Sequence, residues 1–256
     1  MTNANPEYKK RGIITDEDVA NMLKKADEIP FEYFRLRAKA LVALAKKFGK
    51  RSSELAGLKR KDIFINNQSN ELEVRFTLRK KHKLGKAQYF KWLETNNPVA
   101  LDKPLSQVIV DWKAWRRTEA GVGIKGGESL KRIALNGKYS LLILTYLEYL
   151  SKTFPKTEYL FPSGKLFFGG KNYFLSKVDK PLSRAQLLNL IKILDRTAWI
   201  HLFRESLGAS VAKKYGDKLE GVTAVKRALD LENESTAWHY VDRYVGQNLD
   251  MDSDIS

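Results

Sequence analysis

Apolar periodicity makes this chain helical toward both ends and interrupts it once with strict alternation. GIITDEDVANMLKKADEI (12–29) predicts a first helix, with Thr15 and Asp16 as N-cap candidates and carboxylates in the first turn. In FEYFRLRAKALVALAKKFG (31–49), Phe34, Leu41, Ala45 and Phe48 share one face and Gly49 ends the helix. RSSELAGLKRKDIF restarts a short helix capped by Ser52 or Ser53, with Leu55 and Leu58 turned inward. The period then becomes two. Leu72, Val74, Phe76 and Leu78 alternate with Glu73, Arg75, Thr77 and Arg79, which predicts a half-buried strand. HKLGK supplies a turn at Gly85, and AQYFKWL (87–93) reads as the returning strand of a hairpin.

Residues 102–152 read as helices broken by a glycine-rich loop at 121–127, with a buried apolar helix over 141–150. TEYLFPSGKLFFGGKNYF is short, aromatic strand or loop. LSRAQLLNLIKILDRTA, capped by Ser183, then residues 201–215, VTAVKRALDL and STAWHYVDRYV are helical. The fold class expected is mainly α with a small antiparallel β-sheet or hairpin, an α+β chain. A flexible leader (1–12) and an acidic C-terminal tail (246–256) would flank one domain over 13–245, with no separate N-terminal domain expected.

Composition narrows the function. With 43% hydrophobic residues the chain can build a core. LLILTYLEYL is too short for a membrane helix, which needs roughly 20 apolar residues, and it carries Glu148. The polar N-terminus lacks a signal-peptide core, so an intracellular, cytoplasmic place is expected. Zero cysteines exclude disulfides, zinc–thiolate sites and a thiol nucleophile, and three scattered histidines offer no metal-ligand spacing. The net charge of +16 predicts an acidic partner, of which nucleic acid is the commonest; a solubility surface is the bland alternative.

Five features carry candidate chemistry. Arg51 follows Gly49 at a helix start, where its fork of donors adds to an anion-friendly terminus and where Glu54 can fix it. The segment RKKHKLGK sets Arg79, Lys80, Lys81, Lys83 and Lys86 around His82, fit for a phosphate backbone or equally for a soluble turn. His201 and Arg204 share a helix face, before the small residues Gly208, Ala209 and Ser210. Tyr240, one of 11 tyrosines, lies late in the chain. YLFPSG (159–164) precedes the helix that leads into His201.

In this order the features resemble the catalytic domain of the tyrosine recombinase (phage integrase) family, with an archaeal-type integrase as one form the resemblance allows. GKRSSELAGLKRKDI looks like the family's first arginine box, HLFRESLGASVAKKYG like its second, and STAWHYVDRY like its nucleophile box. The likeness runs from Ile14 to Val245 and is weak over 95–157.

It implies a DNA breaking–rejoining fold and a covalent 3′-phosphotyrosyl intermediate formed by Tyr240. Arg51 and Arg204 would hold the scissile phosphate, and His201 would assist proton transfer. A hairpin lysine would protonate the 5′-oxygen: Lys81 by strand alternation, with Lys80 and Lys83 as fallbacks. Arg79, Lys80, Lys83 and Lys86 would touch the DNA backbone.

No metal, ATP or other cofactor is implied. The partners implied are double-stranded DNA, in a nucleoid-associated setting, and further copies in a tetramer that docks C-terminal segments. One departure stands out: where the family usually has Leu-Gly-His, this chain has Leu229-Asp230-Leu231, so a phosphate-binding His or Trp is replaced by Leu231. The alternatives are a type IB topoisomerase, a DNA-binding protein of the same fold with lost or weak cleavage, and a basic RNA-binding or structural protein.

Overall fold

The computed structural model describes residues 13–118, 120–163, 166–169, 172–175, 180–216 and 218–245, with only the backbone at 79–83, 122–126, 166–169 and 172–175. The leader over 1–12 and the tail over 246–256 lie outside the described residues. The described residues fall into two compact units, one of those up to 76 together with those from 129 onward, the other of those within 77–128.

In the first unit, α1 (Asp16–Asp27) opens on a reciprocal cap in which Asp18 N–H donates to Thr15 Oγ1 and Thr15 N–H donates to the Asp18 carboxylate. Helix α2 (Glu32–Phe48) is the central element. Ala40 to Ala45 are all fully buried, because α1, α6 (Lys138–Thr153) and α8 (Ile200–Tyr215) pack around it. Gly49 ends α2 in the left-handed region at φ 53°, as its place in the sequence predicts. Helix α3 (Ser52–Ala56) follows at once and packs on α7 (Arg184–Leu194). Its N-cap is Arg51 rather than a serine, and the carboxylate of Glu54, in the first turn, accepts the Arg51 N–H at 2.9 Å. Beyond α8, α9 (Leu219–Leu229) and α10 (Glu234–Tyr244) build a second core from Ala212, Val222, Val225, Leu229, Ala237, Tyr240 and Val241.

Strands β1 (Ile63–Asn66), β2 (Glu71–Lys83) and β3 (Val122–Ala134) form a sheet in the order β1-β2-β3, and β1 pairs antiparallel to β2 with Ile63 opposite Val74. Leu72, Val74 and Phe76 are fully buried as their alternation requires. Glu73, expected on the solvent face, is buried too, because Arg132 of β3 and Asn66 of β1 close over its carboxylate. Strands β4 (Leu166–Gly169) and β5 (Asn172–Leu175) form a separate antiparallel pair where strand or loop was expected.

The second unit corrects the sequence reading. AQYFKWL does not return as a strand; it belongs to helix α4 (Lys86–Asn96), which starts directly after Gly85. Tyr89 and Leu93, four residues apart, are both buried, with Trp115 of α5 (Leu105–Trp115) against Tyr89 at 5.0 Å between ring centroids. This is the helical period, and the aromatic residues that mimicked a strand are this unit's core. The returning strand is β3, so the glycine-rich stretch 121–127, expected as a loop, belongs mostly to a strand. Helix α6 was expected to be buried; it is half-buried, with Ile143, Tyr146 and Leu150 inward and Leu141 exposed.

Candidate active site

Arg51, Glu54, His201, Arg204 and Tyr240 all lie in the first unit, where the α2–α3 junction, α8 and α10 meet. The junction is tight. A Cβ on Gly49 would stand 2.9 Å from Leu207 Cδ2 and 3.3 Å from the Arg204 Cα, so glycine lets α8 come this close. Arg204 is consequently buried, 3% exposed, and donates from Nη1 to Gly49 O at 2.9 Å and from Nη2 to Leu229 O. These bonds tie the end of α2 to the end of α9 and leave further guanidinium donors for a ligand. Burial, reinforced by the neighbouring Arg51 charge, draws Arg204 below the ordinary arginine range. Two guanidiniums held close against their own repulsion are suited to an anion that relieves it. Arg51 is aimed by Nη1 donating to Glu54 Oε1 at 2.8 Å, and Glu54 itself is buried.

Tyr240 is seated on α8 one helical turn beyond Arg204. Its ring rests on Gly208, where a Cβ would stand 2.4 Å from Tyr240 Cδ1 and 3.1 Å from Leu229 Cδ1. The small residue after the His–Arg pair thus seats the tyrosine. A Gly208→Val change is expected to cost about 2–3 kcal/mol of stability by forcing α10 off α8, read as a lower denaturant midpoint with an unchanged slope. Burial and the Glu205 charge push the Tyr240 phenol up to about 12, while the Arg204 guanidinium pulls it down.

Sequence reasoning missed Glu205. Its Oε1 lies 3.0 Å from His201 Nε2 and accepts the Tyr240 hydroxyl at 3.3 Å, and its Oε2 accepts the Tyr244 hydroxyl at 3.4 Å. The hydrogen bond from His201 holds this carboxyl below its usual range, against the burial that would raise it. The i,i+4 spacing of His201 and Glu205 on one helix was the available signal. Sequence reasoning also missed a buried network. Lys50, 1% exposed, donates to Asp230 and to Ser129 Oγ, while Lys131 reaches Asp230 at 2.8 Å and the Arg227 carbonyl at 2.6 Å.

Leu231 is partly buried against the second core, and its side chain supplies no donor. Arg79, Lys80, Lys81 and Lys83 stand on β2, and their side chains lie outside the described residues. Lys86 begins α4 and places its ammonium 5.5 Å from the Trp112 ring centroid. Among the described residues, no three His, Asp or Glu side chains are placed to hold a metal ion, and no helix is long and apolar enough to cross a membrane.

Comparison with models of known protein families and with curated proteins returned no match. Among solved structures the chain is similar to the XerH site-specific recombinase bound to a palindromic difH substrate in a post-cleavage complex, with TM-score 0.55 and 16% identity over 99% of this chain and 55% of that one. The chain carries the tyrosine recombinase fold. A pre-cleavage complex of XerH with difH gives TM-score 0.52 at 15% identity, covering 95% of this chain and 53% of that one. XerA recombinase gives 0.51 at 13%, covering 95% and 66%. The chain therefore spans between about half and two thirds of the length of these recombinases, and at such identities the likeness speaks for the fold.

Proposed function

We propose that this chain is a site-specific DNA recombinase or integrase that cleaves and rejoins duplex DNA through a covalent 3′-phosphotyrosyl link on Tyr240. The observation that carries the reading is a buried arginine, Arg204, fixed by the carbonyls of Gly49, two residues before Arg51, and of Leu229, and standing one turn of α8 ahead of the Gly208 that seats the Tyr240 ring, within a fold shared with site-specific recombinases. A phosphodiester resists attack because its own charge repels nucleophiles and its transition state gathers charge on the non-bridging oxygens. Arg51 and Arg204 would neutralise and orient those oxygens. Tyr240 Oη would bond to phosphorus, and the 5′-oxygen would leave with a proton from a β2 lysine, Lys81 in the first place. The bond energy kept in the phosphotyrosyl ester makes religation independent of ATP, and the two guanidiniums do the work a metal would otherwise do. The wider positive charge would follow the backbone of DNA and make binding fall steeply with salt. Pairing two DNA sites calls for a tetramer.

The test uses duplexes of randomised sequence, each nicked so that the cleaved strand diffuses away and the covalent product is trapped. A protein–DNA adduct is expected, with the modified peptide mapping to Tyr240. An adduct on Tyr244 overturns the nucleophile assignment. Tight binding with no adduct favours a binding protein of this fold. Relaxation of plasmids of any sequence by monomeric protein favours the topoisomerase alternative.

A further inference from the structure

We infer that Glu205 is the group that takes the proton from Tyr240 during strand cleavage, an inference that rests on the recombinase reading above and adds a catalytic residue to it. The geometry around this carboxylate is one-sided. His201 on its own helix and Tyr240, Arg243 and Tyr244 on α10 surround it, and the Tyr240 phenol also feels the Arg204 charge. Each of these four neighbours offers a proton, and Glu205 is the acceptor they share. A single oxygen, Oε1, meets both His201 Nε2 at 3.0 Å and Tyr240 Oη at 3.3 Å. Since an ionised carboxylate only accepts, His201 presents an N–H to it and has no lone pair on that nitrogen for the tyrosine. His201 thereby steadies Glu205, and its ring, 60% exposed, stays free on its other edge for a phosphate oxygen.

The step balances simply. As Tyr240 Oη bonds to phosphorus, its proton passes to Glu205 Oε1, and the bond from phosphorus to the 5′-oxygen breaks, that oxygen taking its proton from the lysine. In religation the 5′-hydroxyl attacks phosphorus, the bond to Tyr240 Oη breaks, and Glu205 returns its proton to that oxygen. A carboxylate is a weak base toward a free phenol. It suffices here because the phenolic oxygen turns acidic as its electrons enter the bond to phosphorus.

The test is single-turnover adduct formation on the nicked substrates from pH 6.5 to 9.5, with DNA affinity and thermal melting measured alongside. At pH 7, Glu205→Gln is expected to lower the rate by roughly 100-fold or more while binding and melting hold. Its rate is then expected to climb by roughly tenfold per pH unit, because attack must wait for preformed phenolate, while the native rate stays nearly flat. An unchanged rate, a faster one (Glu205 then restrains the tyrosine), or a loss equal at every pH (Glu205 then only positions it) overturns the inference and leaves the recombinase reading standing. A native chain that forms no adduct at any pH overturns both.

Discussion

A Tyr240→Phe chain is expected to bind duplex DNA with native affinity and to form no covalent adduct, while Tyr244→Phe continues to form it. The two tyrosines sit one helical turn apart on α10 and both donate to Glu205, so position on the helix alone does not separate them. Their electrostatic surroundings do. Tyr240 is 8% exposed and feels the Arg204 guanidinium, the group proposed to hold the phosphate. The cation lowering Tyr244 is Arg243, an exposed neighbour on the same helix. The phenylalanine change also tests chemistry with little structural disturbance. The ring keeps its seat on Gly208 and its place in the second core, and the one bond lost, to Glu205, is half-buried and long. The stability change is expected within about 1 kcal/mol. Denaturing gels after incubation with nicked DNA, beside a binding titration, separate lost chemistry from lost folding.

Where interactions are local, the sequence was a good guide. The Thr15 and Ser183 caps, the stop at Gly49 and the alternation of Leu72, Val74 and Phe76 each depend on neighbours a few residues away, and each takes the predicted form. Misreadings arose where two periods fit one short stretch. AQYFKWL offers an apolar residue to either template, and what decides is the Tyr89–Trp115 contact inside the second unit, which no local rule contains. Glu73 shows the same limit from the other side: its burial is set by Arg132, 59 positions later. Of the candidate site, the arginines, His201 and Tyr240 were legible because their order resembles a known family. Glu205 was overlooked because the family pattern gave it no role, and the network around Asp230 because its members are far apart in sequence.

That network yields the largest stability effect. Replacing Asp230 with glycine is expected to cost about 3–5 kcal/mol, seen as a fall in melting temperature on the order of 10 °C. Asp230 caps α9 in the left-handed region at φ 49°, so glycine fits the backbone there and the change isolates the carboxylate. What it strands is Lys50, an ammonium 1% exposed that sits over the Phe76 ring, with Ser129 left as its hydrogen-bond partner. Burial already draws Lys50 below the usual lysine range, and the hydrogen bond it donates to Asp230 only limits that descent. Burial also tends to raise Asp230, yet hydrogen bonds from Lys131 and Lys50 outweigh it and leave the carboxyl below its usual value. The signs of the two pH dependences follow. Because its folded value is depressed, Asp230 stabilises the native chain above its unfolded value of about 3.9, and that contribution drains away as pH falls below it. Lys50, also depressed, weakens the fold while protonated, so the Asp230→Gly chain is expected to regain stability as pH rises toward the ordinary lysine value of about 10.4. Adding Lys50→Met removes the stranded charge while keeping its bulk, and the double variant is expected to recover most of the loss at pH 7. A double variant as unstable as Asp230→Gly alone would show that the carboxylate acts by holding Lys131 and the end of α9 rather than by neutralising Lys50. Either way the outcome bears on the site, because the Leu229 carbonyl that precedes Asp230 is one of the two that fix the Arg204 guanidinium.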